Sequence, residues 1–498
     1  MHLNIVAINF ITGFSWEQLI YAASYSLQSP WLLSDFSFIF LLGFFLFVYA
    51  LISKNIKWRN IYVLVFSLFF YYKSSGPFFL VFVCLISSDF LLAKFMDKQE
   101  GTKKRMLLYL SLIYSLSFLL YFKYSSIIIH NSNEYLGTNF SLNDWFLPVG
   151  ISFYTFQSIS YLVDVYRREV LPVKSITDYA FYMSFFPHII AGPIIRAKDF
   201  IPQISSPTIT SHDTNKESMI RIALGLIKLL LIANYLGAYV SIINENPLNF
   251  SGLEHFISMY AFSFQLYFEL SGYADIAIGM ALLLGFRIKE NFDRPYLATN
   301  ITAFWRKWHI SISNWFKDYI YIPLGGNKGK LISNYLILIF IMFLGGLWHG
   351  MDKRFIILGL IHGVALVIHK IWMKYVPIQP KSKLFSVIAI LITFHFVSFG
   401  WFFLRASSFD YAVQSLTLLF TKTNLLELVN FSMERPALIT LLIISGGIIF
   451  MPSKVKKYMN DKVLQLPAIS WVFLFLIVLQ LIIQFKLQFA QPFIYLQF

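Results

Sequence analysis

Apolar residues along this chain come in unbroken blocks, not in an alternating or one-faced pattern. Clear cases are FIFLLGFFLFVYALI (38–52), NYLILIFIMFLGGLW (334–348) and SWVFLFLIVLQLIIQF (470–485). Apolar runs, most of them near or above the roughly 20 residues that a helix needs to cross a bilayer, lie near 32–53, 60–73, 76–97, 105–122, 147–166, 218–245, 253–285, 331–350, 354–373, 384–404, 436–451 and 468–486. Lipid offers no hydrogen-bond partner to an open strand, so these blocks predict helices. Runs without a period of two argue against a barrel. The expected fold is an all-α polytopic integral membrane protein, one membrane domain over 1–498. No repeat of 20–50 residues is visible, and no soluble stretch is long enough to fold alone.

Composition agrees with that pattern. Hydrophobic residues make up 57% of the chain and charged residues 13%, where a soluble chain carries about 25% charged. The net charge of +15 raises the question of nucleic acid. The basic residues, however, lie between apolar blocks, which is the positive-inside pattern of membrane proteins. KNIKWR (54–59), KQEGTKKR (98–105), RR (167–168), FRIKENFDR (286–294), KYVPIQPKSK (374–383) and KVKK (454–457) are then cytoplasmic. HNSNEYLGTNFSLND (130–144) and NENPLNFSG (244–252) carry no lysine or arginine and fall outside. The sides alternate if SSGP (74–77) is a tight external turn. No nucleic-acid partner is expected; the partner implied is the lipid bilayer. Lysines outnumber arginines 28 to 12, so few cations are committed to bidentate recognition. A single cysteine, Cys84, excludes a disulfide framework within one chain, and no metal site is expected. The N-terminal MHLNIVAINFITGF lacks the basic region and cleavage site of a signal peptide and reads as a first membrane-associated helix.

The charge assignment has one local consequence. Residues 167–174 and 196–217 both come out cytoplasmic, yet the short apolar AFYMSFFPHIIAGPI (180–194), broken by two prolines and a glycine, lies between them. It should enter the membrane and return on the same side. The aromatic, amphipathic stretch 295–325, flanked by basic residues, behaves likewise. Irregular backbone at membrane depth survives only where it is buried in protein or lines a cavity. Two such segments therefore predict a cavity opening toward the cytoplasm.

Candidate chemistry clusters around these segments. If FWRKWHISISNWFKDYIYIPLGG (304–326) is one helix, Trp305, Trp308, His309 and Ser313 share a face. Arg306, Lys307 and Lys317 then reach anionic phosphates at the interface. The bland alternative is an interfacial helix with aromatic anchors and snorkelling cations. Along 153–168, Gln157, Ser160, Asp164 and Arg168 form a polar stripe. Asp164 there is either functional or paired with Arg167 or Arg168. Gln265, Glu269 and Tyr273 share a face of 264–280, with Asp275 about 120° away unless Ser271–Gly272 breaks the helix; buried acids again argue for a lined cavity. His349, in GLWHG at the outer end of its block, has His362 and His395 as competitors. A lone histidine on an apolar helix is more often a hydrogen-bonded structural group than a catalyst. A neutral imidazole is nevertheless a fitting general base at physiological pH. There is no GxxxxGK[ST] phosphate loop, no HExxH zinc site and no GxSxG nucleophile elbow.

Seven stretches resemble the membrane-bound O-acyltransferase (MBOAT) family, and within it the branch of alginate O-acetylases and peptidoglycan O-acetyltransferases. They are LPVGISFYTFQSISYLVDVYR, SFFPHIIAGPIIR, GLIKLLLIANYL, YFELSGYADIAIG, ENFDRPYLATNITAFWRKWHISISNWFKDYIYIPLGGN, GLWHG and GWFFLRA, in family order over 147–406. The resemblance implies a catalytic core there, N-terminal helices over 1–146 and C-terminal helices over 407–498. It implies about 11–13 transmembrane helices with re-entrant helices around a central two-sided funnel. It also implies His349 as the catalytic residue and His309 as the second active-site position. Trp305, Trp308, Trp348 and Tyr319 are further candidates for substrate or donor binding. Where the branch commonly reads YFDFSGYSDMA, this chain has Glu269 and Ala274.

The resulting expectation is an inner-membrane acetyltransferase with no bound cofactor. It takes acetyl from a cytoplasmic donor, acetyl-CoA, and passes it to a periplasmic partner of the SGNH-hydrolase type. The final acceptor is a cell-wall or exopolysaccharide sugar. The lysine-rich composition, which suggests an AT-rich genome, inclines the expectation to peptidoglycan over alginate. Two alternatives remain open at this point: an acyltransferase of the teichoic-acid D-alanylation type fed by a carrier protein, and a transporter or flippase with a proton relay.

Overall fold

The computed structural model describes residues 24–26, 30–138, 147–207, 211–376 and 382–484. The expected N-terminal helix and parts of the segments 130–144 and 374–383 lie outside these residues. Every described element is helical. In order they are α1 (Phe36–Ile52), α2 (Ile56–Ser75), α3 (Phe79–Asp97), α4 (Gly101–Leu136), α5 (Ile151–Tyr166), α6 (Ile176–Ser184), α7 (Ala197–Ile204), α8 (His212–Leu226), α9 (Asn234–Glu245) and α10 (Gly252–Leu283). There follow α11 (Ile301–Trp305), α12 (Ile310–Phe316), α13 (Leu331–His349), α14 (Lys353–Tyr375), α15 (Lys383–Arg405), α16 (Phe409–Thr421), α17 (Leu428–Glu434), α18 (Pro436–Phe450), α19 (Ser453–Leu464) and α20 (Ala468–Gln484). Among the described residues, seven helical runs are long and apolar enough to cross a membrane.

The first run, Ile56–Asp97, has 42 residues, about 63 Å of helix and twice a bilayer core of roughly 30 Å. It doubles back at the 3₁₀ turn Gly76–Phe78. Arg59 at one end donates to the carbonyls of Ile204 and Ser206, and Lys94 at the other to that of Lys174. Ser75 in the middle instead accepts from the amide of Val149. Both ends thus meet the basic segments, and the expected SSGP turn lies on the opposite face. The expected spans at 147–166 and 436–451 are helices of 16 and 15 residues. α5 is buried on nearly every side, so protein rather than lipid sets its length.

The re-entrant reading of 180–194 agrees with the fold. α6 enters, the chain turns through residues 185–191, and α7 begins at Ala197. Glu169 pairs with Lys198 at 3.7 Å, which places both flanks on the basic face. The turn is fully buried and held by side chains. His188 bonds the Phe185 carbonyl and, at 2.9 Å, Gln157 Oε1; Gln157 Nε2 donates to the Tyr182 carbonyl at 2.8 Å. Gly150 leaves room for this loop: a Cβ there would overlap the Ile189 carbonyl oxygen.

Of the two readings of Asp164, the pair with Arg167 or Arg168 does not form. Asp164 accepts from the Tyr319 hydroxyl at 2.7 Å, whereas Arg168 pairs with Glu100 and Arg167 with Glu169. Arg168 has a left-handed φ of 61°, which turns it off the helix face that carries Asp164. α10 is continuous through Ser271–Gly272, because Gly272 packs directly on the Gly225 carbonyl of α8. Asp275 is neutralised in that seam by Arg221 at 3.1 Å and Lys228 at 2.5 Å. The acid therefore holds two helices together and does not line the cavity described below.

α13 and α14 form an antiparallel pair. α13 has 19 residues, about 28 Å at roughly 1.5 Å per residue. Close approach rests on small residues: a Cβ on Gly359 would overlap the Met342 carbonyl, and one on Gly363 would lie 2.9 Å from the Ile339 Cα. Without a hydrophobic drive between helices in lipid, such backbone contact is what holds them.

Candidate active site

One cavity of about 580 Å³ runs between α13, α14 and the broken segment 301–321. Its outer part is bordered by the exposed Arg306, Lys317 and Asn327, with Lys370 beside them. Its inner end is bordered by His309, Trp348 and His349. Between the two, α13 and α14 contribute mainly Leu338, Ile341, Met342, Leu358 and Leu366. The volume falls within the range of roughly 300–1,000 Å³ usual for small-molecule sites. The cationic rim lies beside the basic segment 286–294, to which Lys307 is tied through Asp293.

Residues 304–326 are not one helix. α11 ends at Trp305, and α12 starts only at Ile310. His309 stands in the break with φ 43° and ψ 56°, a left-handed conformation costing roughly 1–2 kcal/mol for a residue with a Cβ. The strain is held by the preceding loop. The Asn291 carbonyl accepts from Ile310 N at 2.8 Å, and its Oδ1 from Ser311 N at 3.0 Å; Asp293 N donates to the Lys307 carbonyl at 3.0 Å. Asn291 is buried and was not legible as a site residue in sequence, where it lies within a charged run. An Asn291→Ala variant is expected to lower turnover about tenfold while leaving the donor KM unchanged. This follows from loss of one buried hydrogen bond, roughly 1–1.5 kcal/mol, at the residue that aims His309. Steady-state kinetics on purified protein checks it; an equal change in KM and kcat would contradict a positioning role.

Even with the break, Trp305, Arg306, Trp308, His309 and Ser313 all border the cavity. Ser313 donates to the Trp308 carbonyl at 3.0 Å, closing the turn. Trp308 is packed between Phe304 and Trp401, with ring centroids 5.5 and 5.0 Å away. Lys307 points out to Asp293 at 3.6 Å. Tyr319 lies on a π-helical turn, Lys317–Tyr321; its ring sits under the Arg196 guanidinium, 4.4 Å from it. With Asp164 it forms a buttress outside the cavity. Gln157, Glu269 and Asp275 also lie outside the lining; α10 presents Leu266 and Leu270 to it instead.

His349 ends α13, and its ring lies 4.7 Å from that of Trp348. Trp348 is also 6.4 Å from the His309 ring, so one indole flanks both imidazoles. Phe153 of α5 backs His309 and Trp348, 6.2 Å from each. The last carbonyls of α13 have no intrahelical partner. α4 supplies them: Lys123 donates to the Trp348 carbonyl and Tyr124 to that of Leu347, the latter at 2.6 Å. A lysine deep in an apolar block is the signal that points to Lys123, but it lies before 147–406, outside the seven motifs. Of the competing histidines, His395 is exposed and bonds its own helix at Leu391. His362 borders the cavity.

Chemically, the inner end offers two imidazoles in a mainly apolar chamber, entered past cations. That arrangement can hold an anionic carrier at the rim, present a carbonyl to imidazole, and keep bulk water away.

Comparisons with known proteins point the same way. Residues 65–413 match the model of MBOAT, the membrane-bound O-acyltransferase family. The chain is 36% identical over 387 residues to the probable alginate O-acetylase AlgI of Pseudomonas aeruginosa, covering 76% of this chain and 72% of that protein. It is 33% identical over 401 residues to the peptidoglycan O-acetyltransferase of Helicobacter pylori, covering 74% and 75%. A teichoic acid D-alanyltransferase of Bacillus subtilis matches at 29% over 282 residues, 53% of this chain and 70% of that protein. With a family match across most of its length, and both histidine motifs bordering one cavity, this chain belongs to the membrane-bound O-acyltransferase family and is a multi-pass membrane acyltransferase.

Proposed function

We propose that this protein transfers acetyl from acetyl-CoA, entering from the cytoplasm, to an extracytoplasmic acceptor for O-acetylation of a polysaccharide. The carrying observation is that His309 and His349 border the inner end of a cavity whose rim is Arg306, Lys317 and Lys370. The coenzyme's phosphates bind those cations, and its thioester lies at the histidines. His349 accepts the proton of the acceptor hydroxyl as its oxygen attacks the thioester carbonyl. The carbon–sulfur bond then breaks, and the thiolate takes up a proton. His309 orients the thioester, while Trp305 and Trp308 help exclude water, which competes as a nucleophile.

Relatives named for alginate and for peptidoglycan match at similar identity. We assign the acceptor to a cell-wall or exopolysaccharide pathway, peptidoglycan first, reached through a periplasmic SGNH-type enzyme from the inner membrane. The test is radiolabelled acetyl-CoA supplied to the protein in liposomes together with such a partner. Label should reach the partner only when acetyl-CoA faces the basic side. Label moved only from a loaded carrier protein would point to the D-alanylation type of donor. Label crossing into the lumen without covalent transfer would point to a transporter.

A further inference from the structure

His362 is a histidine that the reaction above leaves without a task. It is 1% exposed, it borders the cavity, and neither ring nitrogen has a hydrogen-bond partner among the described residues. The ring is nevertheless closely held. Trp305, Phe396 and Trp401 surround it at centroid distances of 5.2, 5.4 and 5.6 Å. A Cβ on Gly400 would lie 2.6 Å from its Nε2, so the neighbouring helix makes space for an imidazole of this size. An apolar ring would fill the same slot without two unbonded nitrogens. The slot nevertheless holds a polar side chain at the border of the cavity.

Its height along the cavity follows from the α13–α14 contacts. Gly359 abuts Met342 and Gly363 abuts Ile339, so His362 is level with the turn 339–342. That is seven to ten residues before His349, about 10–15 Å of helix rise toward the rim. The wall there is otherwise leucine, isoleucine and methionine, apart from Trp305 and Trp401, whose Nε1–H groups are also buried and without a hydrogen-bond partner among the described residues. A thioester at His349 whose phosphate end rests on Lys370 and Arg306 must pass this level. The moiety in between, in coenzyme A and in a loaded acyl carrier protein alike, is a pantetheine arm with two secondary amides. With Nε2 set against Gly400, Nδ1 is the nitrogen left for a donor amide, and a neutral imidazole can donate or accept there.

We propose that His362 is a positioning residue that hydrogen-bonds an amide of the pantetheine arm and so selects amide-bearing acyl donors over simple thioesters. This rests on reading the cavity as the donor channel. The test compares wild type, His362→Leu and His362→Gln, with acetyl-CoA and with a short acetyl thioester that has no amide. Acetyl-loaded carrier protein is run as a parallel arm, so that either source of the arm is covered. For the pantetheine donor that turns over, His362→Leu should raise KM roughly tenfold, the size of one lost neutral hydrogen bond, with kcat within about twofold. His362→Gln, which keeps a donor and an acceptor, should restore most of it. The amide-free thioester should show no difference among the three proteins. An equal loss with both thioesters, or a loss that glutamine does not relieve, would overturn the proposal in favour of a packing role. If His362→Leu leaves KM unchanged while His349→Ala is inactive, the amide contact is wrong and the donor channel stands. If His349→Ala stays active, the channel reading itself is wrong.

Discussion

His349→Ala should abolish acetyl transfer, lowering turnover by at least about a hundredfold, the lower end of what a positioned general base contributes. The fold should survive. His349 is the last residue of α13, its ring borders open cavity, and the carbonyls of the preceding turn are held by Lys123 and Tyr124 of α4. The measurement is label transfer from acetyl-CoA by purified variant and wild type, matched for melting temperature in detergent. Retained transfer at normal stability would remove His349 from the reaction. The same protein separates the two roles open to this imidazole. Rapid acid quench of wild type with donor alone should give no label on the protein if His349 only moves a proton. A stoichiometric, His349-dependent label would instead make it an acyl carrier.

The second large effect is expected far from any reacting group. Gly359→Val should prevent accumulation of folded protein or leave it inactive. The new Cβ would overlap the Met342 carbonyl of α13, which is backbone and has no rotamer to give. Overpacking of this kind costs roughly 1–3 kcal/mol where neighbours can shift, and here the yielding element would be the helix that carries His349. Gly345→Ala is the control: it sits on α13 one turn from His349, and a Cβ there meets nothing within 4 Å. Size-exclusion profiles and melting temperatures should be normal for Gly345→Ala and lost for Gly359→Val. A well-folded, fully active Gly359→Val would show that the α13–α14 contact is not what places His349.

Much of this was readable in the chain because lipid leaves so few options. A 19-residue apolar block such as 331–349 has to be a helix, since its amides find no other partners. Charge then orients it, and with it the end on which His349 falls. The broken apolar piece at 180–194 betrayed a re-entrant segment because prolines at that depth demand protein cover, which Gln157 and His188 supply. Ordered motifs singled out the two histidines. Side-chain pairing was less accessible. Asp164 and Asp275 each had several polar groups within plausible reach, and helical spacing alone cannot choose among partners on other helices. Asp164 took Tyr319, 155 positions along the chain, and Asp275 took Arg221 and Lys228 on α8 and the adjoining π-turn.

What the sequence determined by itself, then, was the helical class, the basic face, and the presence of two histidines in motifs at opposite ends of their segments. These follow from local quantities: run length, charge between runs, and short strings of residues. The tertiary structure alone decided that 304–326 breaks at His309, because Asn291, 18 positions earlier, captures the amides that a continuous helix would have used. It alone brought Lys123 to the end of α13 and seated His362 beside Gly400. Those outcomes depend on which backbones approach within contact distance, and in a bilayer that is set by small residues and buried polar groups, not by hydropathy.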